Sequence, residues 1–233
     1  MPSTNSEFKL INRGYTRTMA LIPGWATDYR IFNNLSLPYD YLLPVKLSPP
    51  DCAEKLLLFL NHYRIKTVTL FGWSFGGILA ADFAARHPGR VNELFLLNVR
   101  DKFIPTELAR VKQQLSQNPH SFLYKFYLSC FSPPDITGRA WFRKNLLPTY
   151  LKEMNSAKLQ LNLDYLTQAA INPAALWKIK KIVFFHGQQD KIIPIKEGQK
   201  IQAQLPRSEW VSFPTLGHLI FLNRLFTEKF TNE

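Results

Sequence analysis

Apolar positions in this chain gather into short, nearly continuous runs rather than a strict alternation. Residues 19–22 (MALI) form the first run, stopped by Pro23 and Gly24, and predict a buried strand ending in a turn. Residues 27–36 suit a short helix with Thr27 or Asp28 near its cap. Residues 41–45 suit a second strand, which Pro44 puts at a strand end or an edge. After Pro49, Pro50 and Asp51 the spacing of Leu56, Leu57, Phe59 and Leu60 turns helical. The β-branched run 66–71 (KTVTLF) predicts a strand, 75–86 a small-residue helix and 91–99 (VNELFLLNV) another strand. Strands without a polar face are buried on both sides. The succession therefore predicts a mainly parallel central sheet with helices on both faces, an α/β fold.

That rhythm lapses over about 101–176. Helical spacing near 105–116, 119–131, 138–153 and 162–170 comes with many aromatic residues and predicts a helical insertion packed over the sheet. The alternation resumes with a strand at 181–186, a helix at about 196–204, a strand at 210–213 and a last helix at about 218–230. The expected organisation is one domain over 1–233, with its core in 1–100 and 177–233 and the insertion between them.

Composition narrows the classes. An apolar share of 46% with 20% charged residues excludes a disordered chain. No apolar run is long enough for a membrane span, and the polar residues 1–17 lack an export pattern, so a cytoplasmic protein is expected. Cys52 and Cys130 are too few for a disulfide framework or a cysteine zinc site. No metal-ligand spacing or cofactor motif is present; the glycines at 72–77 lack the lysine of a phosphate loop. The formal charge of +12, richest over 178–207, permits steering of an anionic partner (nucleic acid, anionic lipid or an acidic protein) but names none, and a basic solvated face without a partner reads equally well. No nucleic-acid motif accompanies it, so nucleic acid is not an expected partner.

The chemistry-bearing run is Gly72, Trp73, Ser74, Phe75, Gly76, a G-x-S-x-G pattern with a strand entering and a helix leaving. Such a turn exposes a serine hydroxyl at the carboxyl edge of the sheet, where open α/β folds bind ligands. A serine needs a general base. Of the five histidines, only His218 lies between the last predicted strand and the last helix. His62 and His87 sit at helix ends, His120 lies in the insertion, and His186 ends its strand as a structural residue. Asp190, in the loop after strand 181–186, is the candidate acid. The order Ser74, Asp190, His218 is that of the α/β-hydrolases. Backbone N–H groups of Phe75 and of Trp25, after the first turn, are the candidate oxyanion donors. Trp25, Trp73, Phe131 and Trp141 are the expected pocket residues.

Over essentially its whole length the chain resembles the α/β-hydrolase superfamily. Gly24–Trp25 and the run from Gly72 to Gly77 resemble more closely the pimeloyl-[acyl-carrier protein] methyl ester carboxylesterases of biotin synthesis. That resemblance implies a serine esterase needing no cofactor, with Ser74, Asp190 and His218 as its triad and Trp25 lining the pocket near the ester. It also implies a basic helical lid that grips an acidic acyl-carrier protein, with Arg139, Arg143 and Lys144, then Lys152 and Lys158, in that role. Two positions depart from the family: Pro23 stands where histidine is usual, and residues 46–50 replace an Asp-x-Pro-Gly segment. A general short-chain carboxylesterase or an acyl thioesterase would use the same machinery. A non-catalytic binding protein on this fold is the reading from another class.

Overall fold

The computed structural model describes residues 7–46 and 49–231. Leu47 and Ser48, within the departing segment 46–50, lie outside the described residues. The elements run β1 (Phe8–Ile11), β2 (Thr18–Ile22), β3 (Asp40–Pro44), α1 (Cys52–His62), β4 (Val68–Trp73), α2 (Phe75–Arg86) and β5 (Val91–Leu97). Five helices follow: α3 (Pro105–Gln117), α4 (Pro119–Ser129), α5 (Ile136–Asn145), α6 (Leu147–Glu153) and α7 (Ser156–Leu166). Then come β6 (Lys181–Gly187), α8 (Ile195–Gln202), β7 (Glu209–Phe213) and α9 (Arg224–Thr231).

The seven strands form one sheet in the order β1-β3-β2-β4-β5-β6-β7, parallel except for β1 against β3. The chain order reverses between β2 and β4, so the turns after these two strands flank the switch-point crevice. Phe71 and Phe95 lie abreast in register on β4 and β5, and Phe185, two residues beyond the register partner Val183 on β6, shares their face with its ring 6.0 Å from that of Phe95. Phe226 and Phe230 of α9 close over them at ring distances of 5.0–5.9 Å. On the opposite face, His186 stacks on Trp210 with ring centroids 5.8 Å apart, against Gly198 of α8. Alternation along β6 turns neighbours 185 and 186 to opposite layers.

Five sequence expectations shift. The polar N-terminal stretch contains β1, a four-residue edge strand too short to show a pattern. The predicted helix 27–36 is a single 3-10 turn, Tyr29–Phe32, capped by the Asp28 carboxylate. The helix at 138–153 divides at Leu146, because Pro148 lacks an N–H and cannot continue α5. The helix placed at 162–170 spans Ser156–Leu166 instead, capped by Asn155. The last helix begins only at Arg224, after a 3-10 turn Ile220–Leu222 and the extended Asn223.

Candidate active site

Strand β4 ends at Trp73, and α2 begins at Phe75, which leaves one residue to reverse the chain. Ser74 takes φ 55°, ψ −119° to do so, a backbone conformation that costs an L-residue roughly 1–3 kcal/mol. The turn closes only because Gly76 has no side chain: a Cβ there would stand 2.1 Å from the Ile22 carbonyl oxygen of β2. The Ser74 side chain borders a cavity of about 620 Å³.

Asp190 leaves β6 through a short turn and is buried, its carboxylate saturated with donors. Oδ1 accepts the N–H groups of Ile192 at 2.8 Å and Ile193 at 2.9 Å. Oδ2 accepts Asn98 Nδ2 at 2.7 Å and bonds His218 Nδ1 at 2.7 Å. Burial alone would raise its pKa, but the facing imidazoles and these donors outweigh it and hold the carboxyl below its ordinary value. An ionised carboxylate only accepts, so the His218 proton sits on Nδ1 and the Nε2 lone pair is left as a base. His218 packs on the elbow itself. Its ring centroid lies 5.2 Å from that of Trp73, and Trp73 Nε1 donates to its carbonyl at 2.8 Å. The Ser74 hydroxyl has no hydrogen-bond partner among the described residues. Without substrate such contacts are commonly loose, and rotation about one side-chain bond re-aims the oxygen.

The turn after β2 carries Gly24, Trp25 and Ala26, the last at φ 58°. Neither the Trp25 N–H nor the Phe75 N–H donates to a backbone carbonyl among the described residues. This turn is tied to the helical insertion. Trp25 Nε1 donates to the Leu159 carbonyl at 3.0 Å, the Tyr127 hydroxyl to the Ala26 carbonyl at 2.5 Å, and Arg30 pairs with Glu153 at 2.8 Å. The His218 loop is tied to it as well: the Cys130 carbonyl accepts His218 N–H at 2.7 Å and Leu219 N–H at 3.2 Å.

Trp25, Ser74 and Phe75 share the large cavity, whose apolar wall comes from Phe103, Leu108, Phe122, Phe126 and Leu166. Three expected pocket residues do not line it. Trp73 is buried beneath the elbow, where a Cβ on Gly24 would touch its ring at 2.8 Å. Phe131 is buried against Phe142, with ring centroids 5.5 Å apart. Trp141 borders a separate hollow with Asn34 and Leu222, because α5 packs on the turn Ile220–Leu222. For the same reason Arg139, Arg143 and Lys144 of α5 stay off the cavity, as does Lys152 at the end of α6. Lys158 borders a smaller cavity of about 270 Å³ on the far side of Phe75. The cations that do line the large cavity are Lys125, Lys191 and Arg100. Arg100 is buried and paired with Glu107 at 2.9 Å and Glu197 at 3.7 Å. Sequence reasoning missed Asn98, although a polar residue closing the apolar run 91–99 was a usable signal. Its φ of 48°, a conformation asparagine tolerates, supports the bond to Asp190. Among the described residues no cluster of metal-ligating side chains occurs, and no helix is long and apolar enough to cross a membrane.

A profile of the α/β-hydrolase fold matches residues 11–225. A pimeloyl-[acyl-carrier protein] methyl ester esterase of Nitrosomonas europaea is 28% identical, covering 92% of each chain. One from Vibrio parahaemolyticus is 23% identical over 94% of this chain and 93% of its own. Among solved structures, an esterase from Exiguobacterium antarcticum superposes with a TM-score of 0.81 at 18% identity, covering 97% of this chain and 94% of its own. The enol-lactonase of Burkholderia xenovorans gives 0.81 at 15% identity, with 97% and 94% covered. The structural likenesses speak to fold alone.

Proposed function

The chain belongs to the α/β-hydrolase fold family, and from that premise we propose that Ser74, Asp190 and His218 are its catalytic triad. The observation that carries this reading is the buried Asp190–His218 bond of 2.7 Å, packed on the elbow that presents Ser74. His218 Nε2 takes the Ser74 proton as the oxygen attacks an ester carbonyl. The N–H groups of Trp25 and Phe75 meet the oxyanion, and Asp190 stabilises the imidazolium without taking its proton. The imidazolium protonates the departing alcohol. Water, deprotonated by the same nitrogen, then releases the carboxylic acid and frees Ser74.

For substrate, the reading best supported is the methyl ester of a pimeloyl chain borne on acyl-carrier protein. The relatives carry that name. The cavity also suits it: an apolar slot between α3, α4 and α7, opening among Gln114, Gln117, Asn118 and Lys125. An acidic carrier would be drawn to Lys125 and Lys191 at this opening rather than to α5. The insertion serves in this reading as the lid over the slot. The test is a panel comparing a short p-nitrophenyl ester, an acyl thioester and the carrier-bound methyl ester. A preference of several orders of magnitude for the last, weakening with salt, is expected. Equal turnover of free and carrier-bound esters at low and high salt would remove the carrier from the reading and leave a general esterase.

A further inference from the structure

The basic stretch 178–207 is only partly explained by the candidate site. The fold sorts its cations. Lys181 reaches Glu93 at 4.0 Å, Lys200 bonds Glu197 at 2.7 Å, and Lys191 borders the Ser74 cavity. Lys178, Lys180 and Arg207 form no ion pair among the described residues, and Glu209, the nearest acid in sequence to Arg207, pairs with none of them. Two of them, Lys180 and Arg207, line a second cavity, of about 240 Å³, at the amino ends of β6 and β7. Its floor is Leu176, Ile179, Ile182 and Leu205, all buried. Trp177 forms one wall and is 68% exposed, while Lys180 and Arg207 stand among its lining. The length of β6, roughly 20 Å, separates it from the edge that bears Asp190.

We propose that this cavity binds an organic anion with a compact apolar body, a medium-chain or aromatic carboxylate. The hollow is concave and small, which fits a molecule better than a flat protein partner. Its floor rewards an alkyl or aryl group, and the ligand covers the Trp177 ring that water now wets. A carboxylate meets two unpaired cations, one of them a planar guanidinium fork, whereas a cationic ligand is repelled. Carboxylates of this class include the acids that ester hydrolysis at Ser74 would release. The site stands without that reading, because none of its residues belongs to the Ser74 cavity.

The experiment titrates the full chain with octanoate and with neutral octanamide, following tryptophan emission. Subtracting the same titrations of Trp177→Phe isolates the Trp177 signal from Trp25 at the other cavity. Octanoate is expected to change that signal saturably. Binding should fall about tenfold with octanamide, and about tenfold in the double variant Lys180→Gln/Arg207→Gln, as the loss of charged hydrogen bonds requires. The double variant should keep wild-type turnover of a p-nitrophenyl ester and a wild-type circular dichroism spectrum. No saturable Trp177 signal, or equal octanoate affinity in wild type and double variant, would overturn the proposal; so would equal affinity for octanamide. Loss of the Ser74 reading would show instead as an unaltered Ser74→Ala turnover, with the Trp177 titration untouched.

Discussion

The carboxyl edge of the sheet and the helical insertion above it hold the candidate site by different means. At the sheet edge the geometry is local. Ser74 is aimed by a one-residue turn, and Asp190 is gripped by the N–H groups of Ile192 and Ile193, two and three residues further on. The insertion works at long range: Tyr127 holds Ala26 across 101 residues and Leu159 holds Trp25 across 134. Cys130, at the end of α4, orients the backbone of His218. The proposed nucleophile and acid are thus set by short stretches of sequence, while the proposed oxyanion turn and base loop are set by helices that supply no member of the proposed triad. The insertion is therefore more than a cover, and substitutions within it should reach the chemistry.

The largest effects belong to the sheet edge. Ser74→Ala should lower ester turnover by about a thousandfold or more and abolish labelling by a serine-reactive phosphonate, with the far-UV spectrum kept. Asp190→Asn should cost about ten-thousandfold in kcat. An asparagine amide facing His218 donates, which forces the proton onto Nε2 and removes the base. Wild-type turnover in either variant would break the reading at its centre.

A middle-sized effect tests the insertion. Tyr127→Phe removes one hydroxyl from a buried site and leaves the Ala26 carbonyl, on a residue already at φ 58°, without its donor. The expected outcome is about tenfold lower kcat with KM little changed, and about 1–2 kcal/mol less stability by urea unfolding. An unchanged kcat with the same stability loss would reduce the insertion to a structural cover. The carrier arm gives a smaller effect. Lys125→Glu should lower kcat/KM on a carrier-bound ester several-fold at low salt and hardly at all at high salt, with Arg143→Glu nearly silent. The reverse pattern would return docking to α5.

The same division explains what the residues revealed in advance. The elbow was legible because a glycine-flanked serine between a β-branched strand and a small-residue helix has one sterically allowed arrangement. Asp190 and His218 were legible because each follows a strand, and chain order alone ranks them. The insertion offered helical spacing and aromatic content, which fix helices but not which face of each meets the site. Trp141 was therefore assigned to the substrate pocket, whereas α5 turns it to a separate hollow beside Leu222. Tyr127 gave no chemical signature, since a tyrosine among aromatics acquires a role only through tertiary contact, and Asn98 signalled only by its polarity near the end of an apolar run, which does not name its partner.

Acid titration sharpens the comparison further, with the smallest effect. Tyr127 and Cys130, in the insertion, are pushed to higher pKa by burial and stay neutral throughout the working range. The sheet edge holds the groups that respond. His186 lies 3.7 Å from Asp190, and its Nε2 contacts the Ile193 carbonyl at 3.0 Å. Burial pulls its pKa below the ordinary 6.5, against the opposing pull of Asp190. Between the lowered value and 6.5 the unfolded chain binds a proton that the folded chain refuses. Stability therefore falls as the pH drops through that window, by about 1.4 kcal/mol for each unit by which the value is lowered. Asp190 adds a second loss at more acid pH, as its depressed carboxyl finally protonates. Urea midpoints measured from pH 7.5 to 5 should show the first loss, and His186→Gln should flatten it even if its absolute stability is lower. Hydrogen exchange at pH 5.5 should accelerate in β6 and α8 before it does in α4 and α6. Acceleration that begins in the insertion would mean that the two halves of the site do not divide as their hydrogen bonds imply.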